Sequence, residues 1–322
     1  MPADHPQTTS SQPSVCAIVL NYNGKDVTLE TLVSLKGLAY SNIEIVVVDN
    51  GSDDGSWQAV AEAYPEIHQL RKKVNQGVAA GMNVGIAYAL ERDFDYLLIL
   101  NNDIEVAPNL VHRLVEELAS RPEFGCAGPK CYYYWDRQRI WSAGGFLRYR
   151  EAITRERGMG QIDQGQFDHT QEVDYINGCA ILIPNEVMRK VGPMDPSYVV
   201  GVEDADWCQR MKNAGYRCLY VADAHLWHMV SHTTGGYKPG KTFQTGRSTA
   251  VFVRRHGSKL RQLQFWLFAC VAVPIAYLRE MAKGNQRAAS AKARGYWAGW
   301  TAQLEPVPTV EQLRSSPTRA PE

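Results

Sequence analysis

The stretch Tyr96-Leu97-Leu98-Ile99-Leu100-Asn101-Asn102-Asp103 constrains the fold more than any other part of the chain. A run of apolar and aromatic residues bounded by Arg92-Asp93 and Asn101-Asn102 suits a central parallel strand covered on both faces. In open α/β sheets, ligands sit outside the carboxyl ends of the strands. Asp103 therefore falls where a hard oxygen could hold Mg²⁺ or Mn²⁺, with capping of a helix near Pro108 as the alternative.

The same grammar recurs on either side. Val15 to Leu20 stops at Asn21-Tyr22-Asn23-Gly24, and a helical pattern follows from Asp26 to Leu35. Ile43 to Val48 ends in the polar run Asp49 to Ser56, and a helix to Ala63 follows with Ser56 expected as its cap. A third strand near Ile67 to Leu70 leads into the glycine-punctuated stretch Asn75 to Gly85 and a helix to Leu90. Strands and helices alternating at this spacing predict right-handed crossovers and a doubly wound, mostly parallel α/β sheet.

Past a helix over 109–119 and a short run at Gly125 to Pro129, the rhythm changes. Tyr132 to Tyr149 is aromatic and rich in glycine, and Arg150 to Glu172 is polar, which predicts a long loop over the sheet. Val173 to Ile183 is apolar around Asn177-Gly178; Asn185 is expected to cap a short helix ended by Gly192-Pro193. A helix from Glu203 to Ala214 and a last strand over Arg217 to Val221 complete the pattern, with His225, Trp227, His228 and His232 after it.

The 322 residues can bury a sizeable core, and 34 basic residues balance 34 acidic ones, so no global field favours nucleic acid. Seven scattered cysteines with no C-x-x-C pair suit reduced core thiols in the cytosol rather than disulfides or a zinc site. Residues 1–14 lack an apolar segment and are expected to be a disordered leader rather than a signal peptide, and 303–322 a disordered tail. Between them the expected division is a nucleotide-binding domain over 15–235 and a basic, partly apolar helical region over 236–302. The glycine stretch is neither a Walker loop, lacking G-K-[ST], nor a dinucleotide fingerprint after the first strand. Gly77 and Gly81 can admit a ligand to the backbone; Gly81 and Gly85 can equally serve close helix packing.

Five polar clusters thus gather where the strand ends converge. Singly they are turns; together, carboxylates and small residues at one carboxyl edge suit a nucleotide and its metal. Taken in order, NYNG, VVVDNGSDDGS, NQGVAAGMNVG, LLILNND and EDADWCQR resemble the family 2 glycosyltransferases with the GT-A fold, over about Val15 to His228. The likeness is greatest to rhamnosyltransferase-like members of bacterial polysaccharide assembly. It implies that Asp103, closing a D-x-D-like element whose first two positions are Asn101 and Asn102, binds the divalent metal that holds the donor diphosphate. It further implies that Asn21, Tyr22 and Asp49 hold the nucleoside, that Asn83 and Asn102 lie along the donor site, and that Asp204 of Glu203-Asp204-x-Asp206 is the general base. A histidine some two dozen residues after the base completes the metal site, and His228 fits that place better than His225. For Asp206, a structural salt bridge to Arg210 is the alternative.

The resemblance implies an inverting enzyme moving a sugar from dTDP-rhamnose or a UDP-sugar to a glycan or lipid-linked acceptor. A nucleotidyltransferase would need a phosphate-gripping basic loop near Asn21, where none stands, and a non-catalytic nucleotide-sugar-binding protein would leave Asp103 and Asp204 idle. The run Phe265 to Leu278, fourteen residues, falls short of the ~20 that cross a bilayer. Its basic flanks and its Trp266 and Tyr277 predict a helix lying at the inner face of the cell membrane, with burial against the domain or a homodimer contact as alternatives.

Overall fold

The computed structural model describes residues 12–150, 153–230 and 238–315. Its first half repeats strand and helix: β1 (Val15–Asn21), α1 (Lys25–Lys36), β2 (Ile43–Asp49), α2 (Ser56–Ala63), β3 (His68–Arg71), α3 (Val78–Glu91) and β4 (Tyr96–Asn101). Then come β5 (Ile104–Val106), α4 (Leu110–Ala119), β6 (Phe124–Tyr133), β7 (Asp136–Ser142), β8 (Gly145–Leu147), β9 (Thr154–Glu156), β10 (Gln171–Val173) and β11 (Ala180–Pro184). The chain continues through α5 (Asn185–Val191), α6 (Glu203–Asn213), β12 (Arg217–His228), α7 (Pro239–His256), α8 (Lys259–Met281), α9 (Gln286–Thr301) and α10 (Val310–Ser315).

The main sheet runs β10-β12-β6-β11-β4-β1-β2-β3, with β5 beside β12 and β7 beside β6. Strands β3, β2, β1 and β4 are parallel; β11 enters antiparallel between β4 and β6, so the second half is mixed. The continuous apolar runs are explained by cover on both faces. Cys16, Ile18, Leu97 and Ile99 pack under α3, whereas Val15, Ala17, Val19, Leu98 and Leu100 pack under α1 and α4. Each such side chain, fully buried, contributes about 1.5–3 kcal/mol.

Glycines set how closely α3 approaches. A Cβ on Gly85 would lie 2.3 Å from Ile18, and one on Gly81 would lie 2.7 Å from Leu20. Gly77, at φ +90°, meets the backbone of Val199. These glycines therefore serve packing, and the ligand-approach alternative falls away at Gly77 and Gly81.

Several sequence expectations need correction. Ser56 is the first residue of α2 rather than its cap: the cap is Gly55, and Asp54 accepts from the Ser56 backbone N–H. Asn185 likewise begins α5 after Pro184 and donates its amide to the Phe94 carbonyl. The expected long loop over 150–172 contains β9, paired with β8, and ends in β10, paired with β12; residues 151 and 152 lie outside the described residues. The last strand does not stop at Val221, because β12 passes a bulge between Val221 and His225 and continues to His228.

Residues 303–315 carry α10, which packs on α3 with Val310 buried and Arg314 donating to the Leu90 carbonyl. The expected tail is thus structured there; 316–322 lie outside the described residues. Of the expected leader, 1–11 lie outside them, while Ser14 hydrogen-bonds Asp95 and Pro13 accepts from the Tyr40 hydroxyl. The region after β12 is bound to the sheet domain by Arg255–Asp195 (2.9 Å), Arg247 to the Ser197 carbonyl (2.7 Å) and His256–Asp206 (2.7 Å). Within it α7 and α9 nearly touch, since a Cβ on Gly295 would lie 2.2 Å from the Phe243 carbonyl. Helix α8 is longer than the apolar run that marks it: at 23 residues it is long and apolar enough, by length and composition, to cross a membrane.

Candidate active site

The parallel pairing of β1 with β2 sets Asn21 beside Asp49 at the carboxyl edge. The Asn21 amide donates to Asp49 Oδ2 and Ser52 Oγ, both at 3.2 Å, and its oxygen accepts from Thr28, Gly24 and Asn102. Asp49 also accepts from the backbone of Gly51 and Ser52 (3.2 and 3.0 Å), with Arg71 at 3.5 Å. Every polar group of this buried cluster has a partner, the arrangement that makes a polar network rigid. Tyr22 stands at its mouth, 40% exposed.

The expected donor-site residues divide here. Asn102 turns inward, donating to Asn21 and Thr28 (3.0 and 2.9 Å), so it braces the cluster. Asn83 stands apart: its amide donates to the Met194 carbonyl (2.8 Å) and accepts from the Met194 N–H (2.9 Å), tying α3 to the segment before α6.

Asp103 follows β4 directly. Pairing of His228 with Ile104 and a bond from Met229 N–H to the Asp103 carbonyl (2.9 Å) bring β12 alongside. Asp103 Oδ1 then lies 3.2 Å from His228 Nε2, and His228 Nδ1 lies 3.4 Å from Cys179 Sγ. Asp103 does not cap α4, which has no side-chain cap. Burial works against a charged His228, but Cys179 and Asp103 outweigh it and raise its pKa to about 10. His225 belongs elsewhere, packed edge-on to Tyr132 and bonded to the Ala222 carbonyl. His232 lies outside the described residues.

A hard carboxylate and an imidazole nitrogen converging at this distance suit Mn²⁺ or Mg²⁺. Such ions bind through one or two side chains and leave their remaining positions to waters and substrate phosphates. The pair fits the expected cation, which on binding displaces the proton His228 otherwise carries, since an imidazole ligates a metal only when neutral.

Asp204 begins α6 after Val202, a β-branched residue at φ +71°. That conformation is strained for Val. Asp204 Oδ1 accepts from Ala205 N–H (2.7 Å) and Oδ2 from Gly178 N–H (2.9 Å). Burial first, then the neighbouring Cys208 and Glu156, push its carboxyl up to about 7. Burial and Asp204 push Glu203 up to about 8, and Glu203 Oε2 has no hydrogen-bond partner among the described residues. Asp206 is different: it bonds Arg210 (2.9 Å) and His256 (2.7 Å). Although burial opposes its charge, the hydrogen bond with His256 and the Arg210 guanidinium hold its carboxyl below the usual range. The salt-bridge alternative is what the structure contains for that residue.

One segment reaches three of these side chains. Asn177 Nδ2 lies 3.4 Å from Glu156 Oε2, Gly178 N–H bonds Asp204, and Cys179 Sγ faces His228. Glu156 was not singled out in the sequence. It sits at the end of β9 and accepts from Ser142, Tyr175 and Asn177, side chains remote in sequence, so no local pattern marks it. A separate cavity of about 630 Å³ lies at the amino end of β4, lined by Asp95, Tyr96 and Arg189, and holds none of these groups.

Residues 16–185 match the model of glycosyl transferase family 2. The chain belongs to that family. This glycosyltransferase is 25% identical over 260 residues to an N-acetylglucosaminyl-diphospho-decaprenol L-rhamnosyltransferase of Mycobacterium tuberculosis, covering 73% of this chain and 82% of that one. A dTDP-rhamnosyl transferase of Shigella flexneri is 23% identical over 220 residues, with coverages of 67% and 69%. Among solved structures, a mannosyltransferase of Pyrobaculum calidifontis, in complex with GDP-Man and Mn²⁺, superposes with TM-score 0.56 at 16% identity, covering 91% of this chain and 88% of that one. GalNAc-T7 with UDP, GalNAc and Mn²⁺ gives TM-score 0.59 at 14% identity, covering 75% of this chain and about half (48%) of that one. These neighbours share the GT-A fold. The chain is a transferase that uses a nucleotide-sugar donor.

Proposed function

We propose that this glycosyltransferase moves rhamnose from dTDP-rhamnose, with inversion, to a sugar hydroxyl of a glycan or lipid-linked acceptor in cell-surface polysaccharide assembly. The relatives named rhamnosyltransferases support the donor and the setting. The observation that carries the site assignment is the Gly178-Cys179 step, which fixes Asp204 through a backbone N–H and meets His228 through a sulfur one residue later. That juxtaposition supports a base and a metal ligand acting at one anomeric carbon.

In this reading Asn21, Tyr22 and Asp49 receive the nucleoside, with Asn102 and Asn83 holding the elements around it. Asp103 and His228 hold the divalent cation, which when bound stabilises charge on the departing diphosphate. Asp204, with its carboxyl at about 7, is ionised enough near neutral pH to take the acceptor hydroxyl's proton as that oxygen attacks. A UDP-sugar is the competing donor. Mixing the full chain with Mn²⁺, a panel of dTDP- and UDP-sugars and a glycan acceptor should release dTDP. Release of pyrophosphate would indicate a nucleotidyltransferase, and no release from any donor would leave a binding protein.

The same reading places the enzyme on the cytoplasmic face of the cell membrane. Leu260, Leu263, Leu267, Val271, Ile275 and Leu278 form an exposed apolar stripe on α8, flanked by Arg261, Arg279 and Lys283. The other side of α8 is held to α9, with the Phe265 and Tyr296 rings 5.1 Å apart and those of Trp266 and Trp300 5.3 Å apart. A helix fastened along one side suits lying in the membrane surface rather than spanning it. A homodimer through the same stripe is the alternative.

A further inference from the structure

A second cavity, about 540 Å³, opens beside the reactive groups and is lined by Trp141, Thr154, Arg155, Glu156, Met159 and Gln161, together with Gly158. Its volume lies within the roughly 300–1,000 Å³ of small-molecule sites. Apart from Glu156, which helps to raise the Asp204 carboxyl, none of these residues has a role in the reading above. We infer that this cavity is the acceptor subsite: it takes the acceptor's sugar ring on the Trp141 face, and the Glu156 carboxylate, accepting a ring hydroxyl, is its specificity-determining residue. The inference rests on the glycosyltransferase reading and adds where, and by what, the acceptor is held.

Position along the sheet distinguishes acceptor from donor. The Asn21–Asp49 cluster lies at β1 and β2, the Asp103–His228 pair lies where β5 pairs with β12, and the cavity lies at β7 and the β8–β9 hairpin, where Trp141 packs against His228. A donor laid from the first to the second leaves the third for the partner sugar. Asp204, which must reach the acceptor hydroxyl, is on that side: Gly178 bonds it while the preceding Asn177 bonds Glu156.

The Trp141 ring is fixed edge-to-face between Tyr133 (5.4 Å) and His228 (5.6 Å), and it is half-buried, leaving part of its surface to the cavity. A held aromatic face next to hydrogen-bonding groups suits a sugar ring, whose C–H face is apolar and whose rim is polar. Glu156 supplies the rim partner. Its oxygens accept from Ser142, Tyr175 and Asn177, all neutral donors, while His228 acts on it only at longer range. A largely buried carboxylate without a contacting counter-ion is costly to a fold, and Glu156 is among the residues that line a cavity wide enough for a ring. Burial, its first cause, also raises the Glu156 pKa, in keeping with that environment.

The test uses the full chain loaded with Mn²⁺ and dTDP. Methyl glycosides of a hexose, a 6-deoxyhexose and a 2-acetamidohexose are titrated by saturation-transfer NMR against parent, Glu156→Gln, Trp141→Ala and Trp141→Phe chains, with dTDP affinity measured in parallel. At least one glycoside should bind the parent. Trp141→Ala and Glu156→Gln should each weaken it tenfold or more, and Trp141→Phe should recover part of the loss, while dTDP affinity stays within twofold. Equal glycoside binding by parent and both variants, or dTDP binding with no glycoside binding in the parent, overturns the subsite. A parent that binds no dTDP and turns over no nucleotide sugar overturns the glycosyltransferase reading itself, a distinct result. Retention of dTDP affinity also shows that a variant is folded.

Discussion

The two halves of the cleft are built on opposite terms. On the β1–β2 side, Asn21, Thr28, Asp49, Ser52 and Asn102 are buried and bonded to one another. On the β12–α6 side, Glu156, Glu203 and Asp204 are carboxyls pushed upward by burial, and Asp204 has only backbone donors. The first half is made to keep its shape; the second raises the pKa of its acids, Asp204 to about 7, where a proton can be exchanged near neutral pH. The contrast is sharpest within α6, where Asp204 is raised and Asp206, two residues on, is lowered.

Substitutions can test that contrast. Asp204→Asn should cut turnover by about 10²-fold or more while dTDP affinity, measured by calorimetry, holds; near-normal turnover would move the base to Glu203. Asp206→Asn should do the reverse, destabilising the fold by roughly 3–5 kcal/mol in urea because Arg210 and His256 lose a buried partner. Asp103→Ala should weaken Mn²⁺-dependent donor binding by more than about tenfold, and EDTA should inhibit the parent; full activity in chelator would remove the metal from the mechanism. Asn21→Ala leaves Asp49, Thr28 and Asn102 short of a partner, which costs about 1–3 kcal/mol and should lower donor affinity together with thermal stability.

The pH dependence follows from the same carboxyls. The folded Asp204 value of about 7 lies above the ~3.9 of an unfolded Asp, so its ionisation works against folding increasingly from about pH 4 to 7. Asp204→Asn should therefore melt higher than the parent at pH 8 and lose that advantage at pH 4, while parent activity rises through about pH 7. Asp206 has the opposite sign: its contribution is present above the unfolded value and lost as the pH falls through its lowered folded value. The smallest expected effect on the fold is at α8. Leu267→Glu with Ile275→Glu should leave stability within about 0.5 kcal/mol yet abolish sedimentation with anionic vesicles. Removing residues 261–302 is a poorer test, since α9 is packed into α7. Unchanged vesicle binding would send the stripe to a second copy of the chain.

How much of this was readable in the sequence depended on how local the physics was. Strands β1, β2 and β4 are buried on both faces, so each is written as a continuous apolar run ending in a polar turn, and Asp49 and Asp103 stand at those ends. Strand β12 was cut short because the bulge before His225 interrupts the alternation at Ala222-Asp223-Ala224. Ser56 and Asn185 carry the composition of caps, yet the preceding Gly55 and Pro184 hold the cap positions. Glu156 had no signal at all, since its partners come from residues 142, 175 and 177. Asn83 carries a resemblance to a donor-site residue, but only the fold reveals that both ends of its amide are engaged by Met194.

Asn177, Gly178 and Cys179 meet Glu156, Asp204 and His228 from consecutive positions. Consecutive Cα atoms across a trans peptide are 3.8 Å apart, so the backbone acts as a ruler, read directly by the Gly178 N–H and through short side chains by Asn177 and Cys179. Glu156 comes from a hairpin, Asp204 from a helix and His228 from a strand, and each element can drift as its own surroundings change. The ruler makes such drift a shared translation of three anchors rather than a change in their spacing. Sequence change in the helices behind the site can then alter where the cleft sits without altering the intervals at which its reactive groups stand.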